Sequence, residues 1–193
     1  MPAPPAADPL RFATQRAFET WLRKHHASSD GIWLLFAKAG ADEPTVTYPQ
    51  AIEVALCWGW IDGQKKSFDE HCWLQRFTPR RARSLWSKIN RGKAEALVEA
   101  GRMQPAGQAE IDRAKADGRW DAAYDGARTS SVPDDLQAAL DAEPRARAFF
   151  ATLNATNRYA VLWRVQTATK PETRAKRIAT LVAMLARGEQ FHG

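Results

Sequence analysis

Apolar residues recur at two different spacings in the first part of the chain, and the spacings predict different elements. Within residues 14–26, Phe18 and Leu22 lie on one apolar stripe of a helix. The run 32–37 is short, continuous and bulky, which is typical of a buried strand. The chain is therefore expected to begin with a helix followed by a strand.

The next segment adds a second helix and two more strands. Thr47 and Gln50 have the spacing of a capping box, which predicts a helix that ends near Gly59. Apolar residues near 60–67 and 72–78 then predict two strands joined by a short connection. The order α-β-α-β-β predicts an antiparallel sheet of at least three strands, with helices packed on one face.

The rest of the chain follows a helical period. Leu85, Ile89 and Leu97 are spaced for a helix over 81–100, with Gly92 as a candidate break. Two later helices begin at residues spaced as capping boxes, which are Ser131 with Asp134 and Thr169 with Glu172. The predicted later helices cover 105–117, 131–141, 144–153, 159–167 and about 170–187. The fold class is therefore α+β, with a small antiparallel sheet and packed helices in the N-terminal half and a mostly helical C-terminal half.

The composition of two segments predicts where the domains begin and end. Four prolines within the first nine residues predict a flexible tail over 1–12. The polar, small-residue stretch 121–133 predicts a boundary between an α+β domain, 13–125, and a helical domain or subdomain, 132–193. We expect the core residues of these two domains to include Trp33, Leu35, Ile52, Leu56 and Leu181.

The sequence lacks the features expected of several classes of protein. No segment approaches the roughly 18 apolar residues of a membrane helix, and the proline-rich start does not resemble a signal peptide, so a cytoplasmic location is expected. Cys57 and Cys72 are the only cysteines and do not suggest a disulfide framework. The spacing of His and Cys predicts no metal site, and no nucleotide-binding or hydrolase motif predicts a cofactor or a catalytic residue.

The charge is concentrated in one part of the chain. Residues 76–119 hold eleven Lys or Arg and five Asp or Glu, and the excess of six equals the formal net charge of the whole protein, +6. In the densest stretch, 75–91, these cations alternate with Phe, Trp, Ser and Asn. Such a patch is suited to recognition of an anionic ligand or an acidic partner, with nucleic acid among the candidates.

Three segments carry a resemblance to a known family. Ala55-Leu56-Cys57-Trp58-Gly59-Trp60-Ile61-Asp62-Gly63, Arg76-Phe77-Thr78-Pro79-Arg80 and Ser84-Leu85-Trp86-Ser87-Lys88-Ile89-Asn90 resemble the bacteriocin-protection family described as YdeI-like or OmpD-associated. Lys170 to Ile178 is similar to the closing motif of that family, with Thr169 where an Ala is expected. The resemblance implies a role in tolerance to bacteriocins or other envelope stress, without an established chemistry.

The residues suggest how a ligand site could be assembled. If the strand pair brings Asp62 close to Lys65 and Arg76, the carboxylate could act as a general base or ligand anchor, although a turn Asp is the commoner case. A helix opening at Thr78-Pro79 would carry its cations in the first turn, where a bound anion or a solvated basic face would explain them. The predicted ligand-binding residues are Asp62, Lys65, Arg76, Arg80, Arg81, Ser84, Trp86, Ser87 and Asn90. Trp86 could stack on a ligand, but a helical Trp is more often a core residue.

Three functions remain open at this point. The first is an intracellular anion-binding accessory protein that uses the basic patch. The second is an enzyme acting on a small phosphorylated or carboxylated substrate at Asp62 and Arg76. The third is a protein–protein interaction module with exposed aromatic residues. The sequence indicates neither a cofactor nor an oligomeric state.

Overall fold

The computed structural model describes residues 8–41 and 43–192, and they form two compact units. The first unit contains the chain up to Ser84 together with Asn90–Trp120. The second unit contains Leu85–Ile89 together with the chain from Asp121 onwards. The α+β fold class is confirmed, because the strands all lie in the first unit and the chain from Asp121 onwards is helical over most of its described length.

The elements before residue 120 follow the predicted order. They are α1 (Gln15–His25), β1 (Ile32–Ala37), α2 (Tyr48–Cys57), β2 (Trp60–Ser67), β3 (Cys72–Pro79), α3 (Lys88–Glu99) and α4 (Pro105–Ala116), with the first two residues of α3 assigned to the second unit. The capping box is confirmed at the start of α2, where Thr47 Oγ1 accepts from the Gln50 N–H and Gln50 Oε1 accepts from the Thr47 N–H. This reciprocal pair satisfies N–H groups that a helix start otherwise leaves unpaired.

The three strands form an antiparallel sheet in the order β1-β3-β2. Trp33 on β1 lies opposite Arg76 on β3, and Asp62 on β2 lies opposite Phe77 on β3. The register shifts between Asp62 and Lys65, which is the signature of a bulge in β2. Because side chains alternate along a strand, Asp62 and Arg76 belong to opposite faces of the sheet.

One face of the sheet forms the core of the first unit. Phe18 of α1 contacts Phe77 of β3 with ring centroids 5.8 Å apart, and the largest fully buried side chains include Phe36 and Leu34 of β1. Ile52 and Leu56 of α2 are buried, as predicted. The prediction was wrong for Trp33 and Leu35, which are only half-buried because they belong to the other face of β1.

The N-terminal segment begins to pair before α1. The Leu10 N–H donates to the carbonyl of Trp33 at 2.8 Å, and the Leu10 carbonyl accepts from the Leu35 N–H at 2.9 Å. Leu10 thus forms a parallel bridge beside β1. The predicted tail is therefore wrong for residues 10–12, which are part of the fold, whereas residues 1–7 lie outside the described residues.

The long helix predicted over 81–100 is shorter, because α3 begins at Lys88. The Ser84 N–H donates to the Arg81 carbonyl at 2.9 Å, and the Arg81 N–H donates to Ser84 Oγ at 2.9 Å, so a separate turn precedes α3. Cations such as Arg81 would also oppose the helix dipole at that position. The expected apolar stripe fails in part, since Leu97 is buried but Ile89 is exposed. Gly92 lies inside α3 without breaking it.

The second unit contains four helices within its described residues. They are α5 (Asp134–Asp141), α6 (Pro144–Thr152), α7 (Ala155–Gln166) and α8 (Pro171–Ala186). Their apolar faces meet in a core that includes Leu140, Phe150, Val161 and Leu185. Leu181 is buried there, as predicted.

Two of the predicted capping boxes do not form in the second unit. The residue preceding α5 is Pro133 and the residue preceding α8 is Lys170, and neither accepts a hydrogen bond through its side chain. Pro171 takes the first position of α8, where its missing N–H costs no hydrogen bond and leaves less for a cap to satisfy. Side-chain capping occurs instead at α7, where Asn154 Oδ1 accepts from the Asn157 N–H at 2.9 Å.

Within the residues that the structure describes, no helix combines the length and the apolar character needed to cross a membrane.

Candidate functional site

Asp62 has a neutral partner in the structure. The Tyr48 hydroxyl, at the start of α2, donates to Asp62 Oδ2 at 2.7 Å. Burial raises the pKa of Tyr48 above its ordinary value, and the hydrogen bond to the Asp62 carboxylate raises it further. The phenol therefore stays protonated and remains a donor, so Tyr48 holds this carboxylate in place.

Lys65 shares a face of the sheet with Asp62 but lies on an aromatic ring. Its Nζ is 4.3 Å from the centroid of Trp73. Trp73 in turn stacks on Phe36 with centroids 4.7 Å apart and an angle of 21° between the rings. This arrangement is a cation–π contact on the sheet, which stabilises the ammonium group in the folded state.

Arg76 lies on the opposite face of the sheet. Its guanidinium carbon is 5.9 Å from the centroid of Trp33, and Lys66 Nζ approaches the same ring at 4.4 Å. The expected cluster of Asp62 with Lys65 and Arg76 is therefore wrong, because Asp62 pairs with Phe77 and neighbouring residues alternate between faces. The hypothesis of an enzyme that uses Asp62 and Arg76 together loses its geometric basis.

The next three predicted residues occupy a turn. Arg80 is 6% exposed, and its N–H donates to the carbonyl of Gly59 at 2.9 Å. Ser84 accepts from the Arg81 N–H through its hydroxyl, and its carbonyl accepts from Arg119 Nη1 at 2.7 Å. Arg81 is exposed, whereas Arg80 is buried, which does not fit its predicted role as a ligand-binding residue of the basic patch.

The last three predicted residues do not share a helix face. Trp86 is 2% exposed, which supports the core interpretation over a ligand-stacking one. Its carbonyl accepts from the Tyr124 N–H at 3.0 Å, and Ser87 forms a parallel bridge with Tyr124. Trp86 and Ser87 precede α3, while Asn90 lies within it, so the three residues do not lie on the single helix predicted over 81–100.

A groove in the second unit was not predicted from the sequence. It has a volume of about 670 Å³, which is within the range of small-molecule sites. Helices α7 and α8 supply most of its walls. Its lining residues are Leu85, Trp163, Arg164, Thr167, Thr173, Lys176, Arg177, Thr180, Leu181, Met184 and Phe191.

Two arginines of the groove are held by neutral groups. Arg177 Nη1 donates to the carbonyl of Arg164 at 2.8 Å and to Thr167 Oγ1 at 3.2 Å. Arg164 Nη1 donates to the carbonyl of Ala160 at 2.8 Å, and the Arg164 guanidinium carbon is 3.5 Å from the centroid of Phe191. These contacts orient both guanidinium groups and leave further N–H donors of each without a partner in the described part of the chain.

The groove carries positive charge without a matching carboxylate. Arg164, Lys176 and Arg177 all line it, and none of the described lining residues is acidic. Arg174, a neighbouring cation of α8 outside the groove, does have a carboxylate partner, since it binds Asp135 through two hydrogen bonds of 2.5 and 2.9 Å. Hydrogen bonding from Arg174 lowers the pKa of Asp135 below its ordinary value. The cations of the groove have no such carboxylate among the described residues.

A buried amide holds the wall formed by Phe191. Asn157 is 1% exposed, and its Oδ1 accepts from the N–H groups of Phe191 at 3.1 Å and His192 at 2.9 Å. Its Nδ2 donates to Gln190 Oε1 at 3.2 Å and to the carbonyl of His192 at 3.0 Å. Asn157 thus fixes the segment 190–192, which we call the C-terminal strap, and with it the ring that contacts Arg164.

The sequence carried only a partial signal for this groove. Cations near the start of a helix such as α8 usually belong to the solvated face of an amphipathic helix, so Lys176 and Arg177 do not stand out in the sequence. Arg164 and Phe191 lie far from Arg177 in sequence, so only packing brings them together.

Comparison with known proteins divides the chain into two matched segments. Residues 10–110 match a family model described as a domain of unknown function (DUF8412). Residues 129–188 match the family described as "Bacteriocin-protection, YdeI or OmpD-Associated", which confirms the resemblance inferred from the sequence. Neither a curated protein nor a solved structure is significantly similar to the chain. The chain therefore belongs to the DUF8412 family, whose model covers more than half of it, and carries a bacteriocin-protection, YdeI or OmpD-associated segment in its second unit.

Proposed function

We propose that the protein is a non-enzymatic accessory protein that binds an anion in the groove of the second unit. The observation that carries this proposal is the set of three cations, Arg164, Lys176 and Arg177, around one concave surface whose described lining has no acidic residue. Charge-assisted hydrogen bonds from Arg or Lys to a carboxylate or phosphate are among the stronger polar contacts in proteins. A bound anion would give these cations the partner that Asp135 gives to Arg174.

The position of the groove supports a link to bacteriocin protection. All its lining residues except Leu85 and Phe191 lie within residues 129–188, the segment that matches that family. We propose that anion binding by this segment contributes to bacteriocin or envelope-stress tolerance. The proposal assigns the role to binding, because the groove offers oriented donors and an apolar floor.

We place this role inside the cell. Cys57 and Cys72 are both free and buried, which is usual for proteins kept in a reducing compartment. Burial raises the pKa of Cys57 from 9.0 to about 11, so its thiol stays protonated near neutral pH and is a poor nucleophile. Both cysteines therefore fit a structural role in an intracellular protein.

An NMR titration of the full chain with inorganic pyrophosphate tests the proposal. We expect the largest amide shifts at Arg164, Thr167, Lys176 and Arg177, and we expect the binding to weaken as salt is added. The double variant Lys176→Gln/Arg177→Gln should weaken binding by about tenfold or more, since each charge-assisted bond contributes roughly 1.5–3 kcal/mol.

The matched control is Arg145→Gln/Arg147→Gln, which removes the same charge from α6 in the same unit. These residues do not line the groove, so the control should bind pyrophosphate as the unmodified protein does. Equal losses in the two double variants would mean that only net charge matters, and the groove would not be the binding site. Shifts spread evenly over both units would lead to the same conclusion.

A further inference from the structure

We infer that the ligand of the groove is an amphipathic organic anion, a small molecule with an acidic head and an aromatic or aliphatic body. This inference rests on the proposed function, because it takes the cations to be the binding groups for the head. It goes further by assigning a role to the apolar residues of the same groove.

The apolar part of the lining is too extensive for a bare inorganic anion. It consists of Leu85, Trp163, Leu181, Met184 and Phe191. Trp163, Met184 and Phe191 are only half-buried, so they present apolar surface to the groove in the absence of a ligand. A phosphate or sulfate would leave this surface in contact with water, whereas an apolar body would cover it.

The polarity of α8 changes along the groove. Thr173, Lys176 and Arg177 come first, and Leu181 and Met184 follow toward the helix C-terminus. With a rise of 1.5 Å per residue, the span from Thr173 to Met184 is roughly 16 Å. A ligand lying along α8 would therefore place its acidic head near Lys176 and Arg177 and its body near Met184.

Helix α7 presents the same division on the opposite wall. Thr167, near its C-terminus, accepts a hydrogen bond from Arg177 and belongs to the polar end. Trp163 lies one turn earlier and supplies an aromatic wall to the groove. Both walls thus have a polar end and an apolar end on the same side of the groove, and they define which way an amphipathic ligand would lie. A diffuse basic surface would not orient a ligand in this way.

Phe191 links the polar and the apolar parts of the site. Its ring lies 3.5 Å from the guanidinium carbon of Arg164, so one ring both orients a cation and adds to the apolar wall. The C-terminal strap that carries Phe191 is held by Asn157, so this wall is in place without a ligand. A preformed wall lowers the ordering cost of binding and favours a compact, rigid ligand body.

A pair of fluorescent probes separates the head from the body. We would use 8-anilinonaphthalene-1-sulfonate, which joins an aromatic body to a sulfonate, and N-phenyl-1-naphthylamine, which has the same body without the charge. Both would be titrated into the full chain, and NMR would locate each bound probe. We expect the sulfonate probe to bind at least about tenfold more tightly than either the neutral probe or pyrophosphate, because only the sulfonate probe contacts both the cations and the apolar residues of the groove.

Variants assign the two contributions. Lys176→Gln/Arg177→Gln should reduce the affinity for the sulfonate probe toward that for the neutral probe, with Arg164 as the remaining cation of the groove. Met184→Ser should weaken binding of the sulfonate probe severalfold and leave binding of pyrophosphate unchanged. The control Ile89→Ser removes an apolar side chain of the same unit that is 57% exposed and does not line the groove. This variant should change neither the binding of the sulfonate probe nor the binding of pyrophosphate.

The outcomes distinguish this inference from the proposed function. If pyrophosphate binds at the groove and the sulfonate probe binds no more tightly, the inference is wrong while the proposed anion site stands. If the two aromatic probes bind equally, the charged head contributes nothing to their binding and the inference is wrong, whereas the proposed anion site stands or fails with the pyrophosphate shifts. If neither pyrophosphate nor the sulfonate probe produces shifts in the groove, the proposed function itself is wrong.

Discussion

The two units use their cations in different ways. In the first unit, Lys65 lies on Trp73 and Lys66 lies on Trp33, so these charges are engaged by aromatic rings of the sheet that carries them. In the second unit, Lys176 and Arg177 line a groove and keep donors available to a ligand. The comparison shows that a cation that packs on an aromatic ring of its own sheet is not by itself a binding site.

Ion pairs within the first unit strengthen this contrast. Four of the eleven cations in the basic block 76–119 pair with carboxylates of that unit, as Arg91–Glu95, Arg102–Glu53, Arg113–Glu110 and Arg119–Asp117. Such surface pairs contribute little to stability individually, but each reduces the field that an approaching anion would meet. The densest charge in the sequence is thus a weaker indicator of a site than three cations around one groove.

The largest effect should come from truncating the core of either unit. Leu56 of α2 and Leu185 of α8 are 3% and 0% exposed, so Leu56→Ala and Leu185→Ala should each lower the free energy of unfolding by about 2–5 kcal/mol. Urea denaturation of each variant measures this. Leu35→Ala, at a half-buried position on the other face of β1, is the control and should cost less. An unchanged denaturation curve for either core variant would contradict the assigned packing of its unit.

An intermediate effect should follow from removing the support of the C-terminal strap. Asn157→Ala leaves the N–H groups of Phe191 and His192 without their acceptor, and we expect a loss of roughly 1–3 kcal/mol in the free energy of unfolding. The amide resonances of 190–192 should broaden or shift more than those of the first unit. If they stay unchanged while stability falls, Asn157 supports α7 and not the strap.

The smallest effect should come from the engaged cations of the sheet. Lys66→Gln removes the contact with Trp33 and should cost about 0.5–1 kcal/mol in the free energy of unfolding. Pyrophosphate binding should not change, because Lys66 does not line the groove. A loss of binding comparable to that of Lys176→Gln/Arg177→Gln would remove the distinction between the two units.

Local patterns in the sequence were sufficient for most elements. The spacing of Thr47 and Gln50 identified the start of α2, and the continuous apolar run 32–37 identified β1. These signals work because a capping box and a buried strand are stabilised by residues close together in the chain. The helix predicted from residue 81 failed because a residue distant in the chain intervenes. The Trp86 carbonyl accepts from the Tyr124 N–H and the Tyr124 carbonyl accepts from the Lys88 N–H, so this segment pairs with Tyr124 before α3 begins.

The predicted site failed where it depended on how strands pair. Asp62 and Arg76 are both at strand positions, but the register that places Asp62 opposite Phe77 puts them on different faces. A shift by one residue would reverse that outcome, and no local pattern in either strand determines it.

The sequence by itself determined the fold class, most of the elements and the resemblance to the bacteriocin-protection family. The tertiary structure decided which charges remain available. Arg164 and Arg177 meet only because α7 and α8 pack together, and Phe191 reaches Arg164 because Asn157 holds the C-terminal strap. Lys65 and Arg76 are engaged only because the sheet sets tryptophans beside them. The physical reason is that secondary structure follows from contacts between near neighbours in the chain, whereas the partner of a charged side chain is supplied by residues distant in sequence.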